Sequence, residues 1–66
     1  MLTEIDTVAL LVDRPEAGLS RGDKGTIVCA HDPDAYEIEF VDLDGYTQAT
    51  EVFRRHEITK IHINSE

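Results

Sequence analysis

The chain has 66 residues, 41% of them apolar and 30% charged, and its fourteen Asp and Glu against six Lys and Arg give a formal net charge of -8. This length makes one domain with a small core, and the composition excludes a disordered tract. The acidic balance removes the main source of affinity for phosphate backbones, so nucleic acid is not the expected partner. No apolar run reaches the roughly 18 residues of a membrane span, no basic-then-apolar leader opens the chain, and the single Cys29 makes neither an internal disulfide nor a cysteine-based zinc site. The expectation is a cytoplasmic protein with no membrane contact.

In chain order, "TVALLV" (Thr7 to Val12) is β-branched and alternates at Val8, Leu10 and Val12, which predicts a first strand. Pro15 fixes its own φ and disfavours helix at Arg14, so "DRPEAGLS" (Asp13 to Ser20) reads as an irregular loop. In "GLSRGDKGTIVCAH", Gly18 closes the loop with positive φ and Leu19 tucks under the core. Gly22 and Gly25 bracket a tight turn, Asp23 bonds to nearby backbone amides, and a second strand runs from Gly25 to His31.

"DPD" (Asp32 to Asp34) stops that strand. "AYEIEFV" (Ala35 to Val41) follows, with Tyr36, Ile38 and Phe40 on one face and Glu37 and Glu39 on the other. "DLDG" supplies Asp44-Gly45, a strong short hairpin signal. "YTQATEVF" (Tyr46 to Phe53) returns as a fourth strand, "RRHE" (Arg54 to Glu57) suits one 3₁₀ turn, and "ITKIHI" (Ile58 to Ile63) reads as a fifth strand. Met1 to Glu4 and Asn64 to Glu66 are expected to fray, leaving an ordered core of about residues 5–63 in a single domain, 1–66. Five short strands at this spacing predict an all-β domain and, at this size, a small five-stranded barrel that leaves no free sheet edge.

"VALLVDRPEAGLSRGDKGTIV" followed by "AYEIEFVDLDG" resembles a family of short bacterial proteins known only as a domain of unknown function. Its pattern is Pro-Glu-x-Gly-Leu, then Arg-Gly-Asp-x-Gly-Thr-Val-Val, then Tyr-Glu-Val-Glu-Phe. The match runs from Asp6 to Gly45, and "QATEVFRRHEI" stands where the family is richer in leucine. The resemblance implies an SH3-like barrel, with no established activity to carry over. It also implies Val28 and Ala30 inward and Cys29 at an exposed strand position, although a buried, inert thiol stays open.

Lys24-Gly25 leads into a strand rather than a helix, so the glycine-rich stretch is no phosphate cradle. An Arg-Gly-Asp recognition loop requires an extracellular protein. Asp42 heads a calcium-like run, but Phe53 stands where a bidentate Glu is needed. His31, His56 and His62 fit no standard zinc spacing, and His31 with Asp32 or Asp34 is a weak metal pair at best. No catalytic constellation, cofactor or metal is therefore expected, and a barrel this small seldom encloses a water-free cleft.

What remains is surface. By analogy with SH3-like barrels, Asp13, Arg14, Pro15 and Glu16 present an exposed binding loop. Glu37 and Glu39, with Gln48 and Thr50 as expected neighbours, form an acidic flank with Asp32, Asp34, Asp42 and Asp44. Gly18, Gly22, Asp23, Gly25, Asp44 and Gly45 are assigned to structural turns. The expected function is a non-catalytic protein-interaction module, the accessory or inhibitory half of a two-protein system, taking a basic partner. The alternative is a nucleic-acid- or ribosome-associated module with Arg14, Arg21, Lys24, Arg54 and Arg55 gathered on one side.

Overall fold

Short β-branched segments separated by Gly, Pro and Asp produce five strands and two single 3₁₀ turns in the computed structural model, which describes residues 2, 4–31, 33–42 and 44–61. In order they are β1 (Thr7–Leu10), a 3₁₀ turn at Pro15–Ala17, β2 (Lys24–His31), β3 (Ala35–Val41), β4 (Thr47–Arg54), a 3₁₀ turn at Arg55–Glu57, and β5 (Ile58–Lys60). All neighbours are antiparallel, in the order β4-β3-β2-β1-β5. The domain is all-β, with no α-helix among the described residues. Among the described residues β4 and β5 are the two edges and do not pair with each other, so their hydrogen bonds do not close the sheet into a barrel.

The apolar residues of the alternating pattern meet in one cluster. Val8 and Leu10 come from β1, Ile27 from β2, Ile38 and Phe40 from β3, Phe53 from β4 and Ile58 from β5. Fully burying each such side chain stabilises by about 1.5–3 kcal/mol. Phe40 and Phe53 meet edge to face, 6.1 Å between centroids at 73°, the arrangement their ring quadrupoles favour. Leu19 tucks in from the long loop as expected, and Val12 packs against the cluster. Leu2 does so as a core member, although it precedes the stretch expected to be ordered.

Several boundaries differ from the pattern. β1 ends at Leu10, because Leu11 turns its N–H to the Glu57 carbonyl at 2.8 Å. The Asp13 to Ser20 loop contains the turn at Pro15–Ala17. β4 starts and ends one residue later than expected, and Tyr46 stands exposed before it. β5 closes at Lys60; the expected continuation to Ile63 includes His62 and Ile63, which lie outside the described residues, as does Asp32.

The largest correction is in β2. Gly25 lies inside the strand rather than in the preceding turn, and it is buried. A Cβ there would sit 2.6 Å from Ile38 Cγ2, 2.9 Å from the Glu39 carbonyl oxygen and 2.9 Å from Phe40 Cε1. It is glycine because β3 approaches too closely for a side chain, not because of its φ. Ile27 is fully buried while Val28 is exposed, which overturns the inward placement of Val28; Ala30, opposite Tyr36, does fall on the core side but is exposed there. The register explains it: Ile27 pairs with Ile38 but Cys29 pairs with Glu37, leaving Val28 as the extra residue of a β-bulge.

Candidate functional site

Arg14 anchors the expected binding loop, and it is turned inward. Its guanidinium carbon lies 4.1 Å from the centroid of the Phe53 ring, within cation–π range. Nη1 donates to the Val52 carbonyl at 3.4 Å and to Glu51 Oε1 at 3.5 Å. Glu57 lies 3.8 Å from Nη2, and Glu16 lies 3.7 Å from Nε. Only 21% of its side chain is exposed, so the free surface position expected for Arg14 is corrected. The loop holds it there through reciprocal backbone bonds between Arg14 and Leu19, at 2.8 and 3.1 Å. One side chain thus spans from the β1–β2 loop to the free edge of β4.

The other loop residues divide. Pro15 and Glu16 are exposed, as expected. Asp13 is exposed too, but its carboxylate accepts the Arg21 N–H at 2.8 Å and braces the glycine-rich turn. Asp23 accepts the Ser20 N–H at 2.9 Å, the local bonding expected of it.

On the opposite, outer face of the sheet, Glu37 and Glu39 are half-buried rather than free in water. Glu39 accepts the Thr47 hydroxyl at 2.6 Å, and its partners across the ladders are Thr26 and Thr50. Glu37 stands opposite Cys29 on β2 and Val52 on β4. Gln48 falls at a second irregularity of the β3–β4 ladder instead of beside either glutamate. Beyond the bulge Cys29 and His31 share this outer face, and Glu37 Oε1 lies 3.6 Å from His31 Nε2. Cys29, half-buried here, belongs neither to the core nor to fully exposed strand surface.

The turn carboxylates are partly occupied. Asp34 pairs with Arg54 at 3.2 Å. Asp42 Oδ1 accepts the N–H groups of Asp44 and Tyr46 at 2.9 and 3.0 Å, and its carbonyl accepts that of Gly45 at 3.0 Å. Asp42 therefore organises the hairpin at whose tip Asp44 and Gly45 sit, a role that side-chain-to-backbone bonding in Asx turns explains. Among the cations, Arg14 and Arg54 are paired with carboxylates, as is Lys60 with Asp6 at 3.6 Å. Arg55 donates to the Ile58 carbonyl at 3.1 Å. Shallow depressions border Lys24, one of them lined also by Leu19, Asp23, Phe40, Val41 and Gln48.

These features define an acidic, all-β domain of five antiparallel strands whose open side is bridged by a loop arginine. No helix of the described residues is long and apolar enough to cross a membrane. A family model, the domain of unknown function DUF4926, matches residues 4–60, and the chain belongs to that family. The match takes in β4 and β5, beyond the Asp6 to Gly45 stretch that carries the resemblance. No curated protein and no solved structure gives a significant match to the chain.

Proposed function

We propose that this chain is a non-catalytic protein-interaction module of SH3-like architecture, binding a basic protein surface through the outer face around Glu37 and Glu39, with the exposed Asp13, Pro15 and Glu16 of the β1–β2 loop as a second acidic patch on the other side of the sheet. The charge distribution carries this reading. Arg14, Arg54 and Lys60 are held by carboxylates of the same chain, so at least three of the six cations are consumed internally in a chain of net charge -8. The six also sit on different elements, with Arg14, Arg21 and Lys24 around the β1–β2 loop, Arg54 and Arg55 at the end of β4 and Lys60 on β5. A continuous basic stripe is what a phosphate backbone requires. The 3₁₀ turn ahead of a short last strand, and the placing of that strand beside β1, support the SH3-like reading.

The test is capture from extract of the native cell with wild-type and Glu37→Lys/Glu39→Lys baits, with gel-shift of the free chain against RNA and DNA alongside. The expected outcome is a basic protein that reassociates as a purified partner, weakens with added salt and is lost on the double reversal. Tight binding of RNA or DNA at physiological salt, lost on reversing Arg21 and Lys24, would instead establish the nucleic-acid- or ribosome-associated alternative.

A further inference from the structure

We propose that Cys29, His31 and Glu37 form a three-ligand site for zinc, or a divalent ion of similar softness, on the outer face of the β2–β3 hairpin. One ligand atom from each residue lies within 4.8 Å of the others. The Glu37 Oε1 to His31 Nε2 distance is 3.6 Å. Tetrahedral zinc with bonds of about 2.0–2.3 Å holds its ligand atoms about 3.3–3.7 Å apart. The imidazole–carboxylate edge is therefore already of metal size, and the thiol needs to approach by at most about 1.3 Å, within reach of side-chain rotation.

The backbone explains why these three converge. The three-residue loop from Asp32 to Asp34 sets His31 opposite Ala35 and Cys29 opposite Glu37. Ala35 offers only a methyl group, which leaves the His31 ring room to lean toward Glu37. The bulge at Val28 is the second requirement. Cys29 in an unbroken alternation with Ile27 would follow Ile27 to the core face; the bulge turns Cys29 and His31 outward together. All three ligands stand on paired strands, which hold geometry better than loops do.

The donor set selects the ion. Thiolate, imidazole and carboxylate suit zinc, whereas calcium and magnesium require oxygen ligands. Zinc binding by one thiolate and one carboxylate leaves the centre electrically neutral, and the Cys29 proton is released to solvent. Three protein ligands leave one position for water or for a donor from another molecule. A surface His–Glu pair alone would account for His31 and Glu37, but not for the thiol beside them. The site shares Glu37 with the proposed protein-binding face, but its test reads metal binding by the free chain and needs no partner.

The purified chain, titrated with cobalt(II) and followed by absorbance, then back-titrated with zinc, tests the site. The expected result is one ion per chain, a thiolate-to-cobalt charge-transfer band, four-coordinate ligand-field bands, and their loss as zinc displaces cobalt. Cys29→Ser removes the charge-transfer band, and Cys29→Ser and His31→Ala each weaken zinc binding on the order of tenfold or more. Glu37→Gln weakens it measurably, while His56→Ala leaves it unchanged; far-UV circular dichroism verifies that each variant folds. A wild-type cobalt spectrum without a thiolate band overturns the proposal before any variant is made. So does zinc affinity that survives both Cys29→Ser and His31→Ala, or that disappears with His56→Ala.

Discussion

Gly25 and Gly45 both resist a side chain, but a Cβ at Gly25 would collide with Ile38 and the β3 backbone, whereas Gly45 has open space and a φ of 88°. Different substitutions separate the two causes. Asn tolerates the left-handed region, so Gly45→Asn is expected to cost well under about 1 kcal/mol while Gly45→Val costs about 1 kcal/mol or more. Gly25→Ala, in contrast, overpacks the sheet and is expected to cost about 1–3 kcal/mol, with no relief from Asn. Urea unfolding of the four variants measures this. Equal losses for Gly25→Ala and Gly45→Asn would mean that β2 and β3 can part without penalty.

At the scale of elements, the seam between the β1–β2 loop and β4 is joined by side chains where a ladder is absent. Arg14→Ala removes a cation from the Phe53 ring and donors from Val52 and Glu51, and is expected to destabilise by about 1–2 kcal/mol. Arg14→Lys keeps the charge but loses the planar fork, so its cost falls between wild type and Ala. Thermal melts of both variants test this, and a Lys variant as stable as wild type would leave ion pairing as the whole effect. The alternation of β3 was legible because one face is apolar throughout, and the Asp44-Gly45 hairpin because glycine there meets a backbone demand. The facing of β2 was not legible, since "TIVCA" is small and apolar on both sides and a bulge leaves no mark in hydrophobicity. The metal-like trio was half visible: a three-residue loop after His31 already implies Cys29 opposite Glu37. The inward turn of Arg14 had no local signal, because its partners Glu51, Val52 and Phe53 lie 37 or more positions away.

For the whole molecule, a net charge of -8 on 66 residues means that repulsion among carboxylates opposes folding. The ion pairs of Arg14, Arg54 and Lys60 offset part of it, and Asp34, Glu16 and Glu51 are on the receiving side. The exposed Arg54–Asp34 pair is worth little by itself, and the partly buried pairs of Arg14 and Lys60 are few against a net charge of -8, so the global term is expected to dominate. Raising salt from low concentration to about 0.15 M shortens the screening length to about 8 Å and is expected to raise the melting temperature. A melting temperature that falls over the same range would show that the specific pairs outweigh the net repulsion.

The bulge at Val28 also bears on where the chain can change length. Remove that one residue and Ile27 still faces Ile38 while Cys29 still faces Glu37, so the ladder becomes regular and no neighbouring side chain changes sides. A one-residue deletion at Val28 is therefore a change of length that the middle of this strand can absorb. Losing that residue leaves thiol, imidazole and carboxylate of this chain in register, whereas losing one of the three residues between His31 and Ala35 would put them out of correspondence.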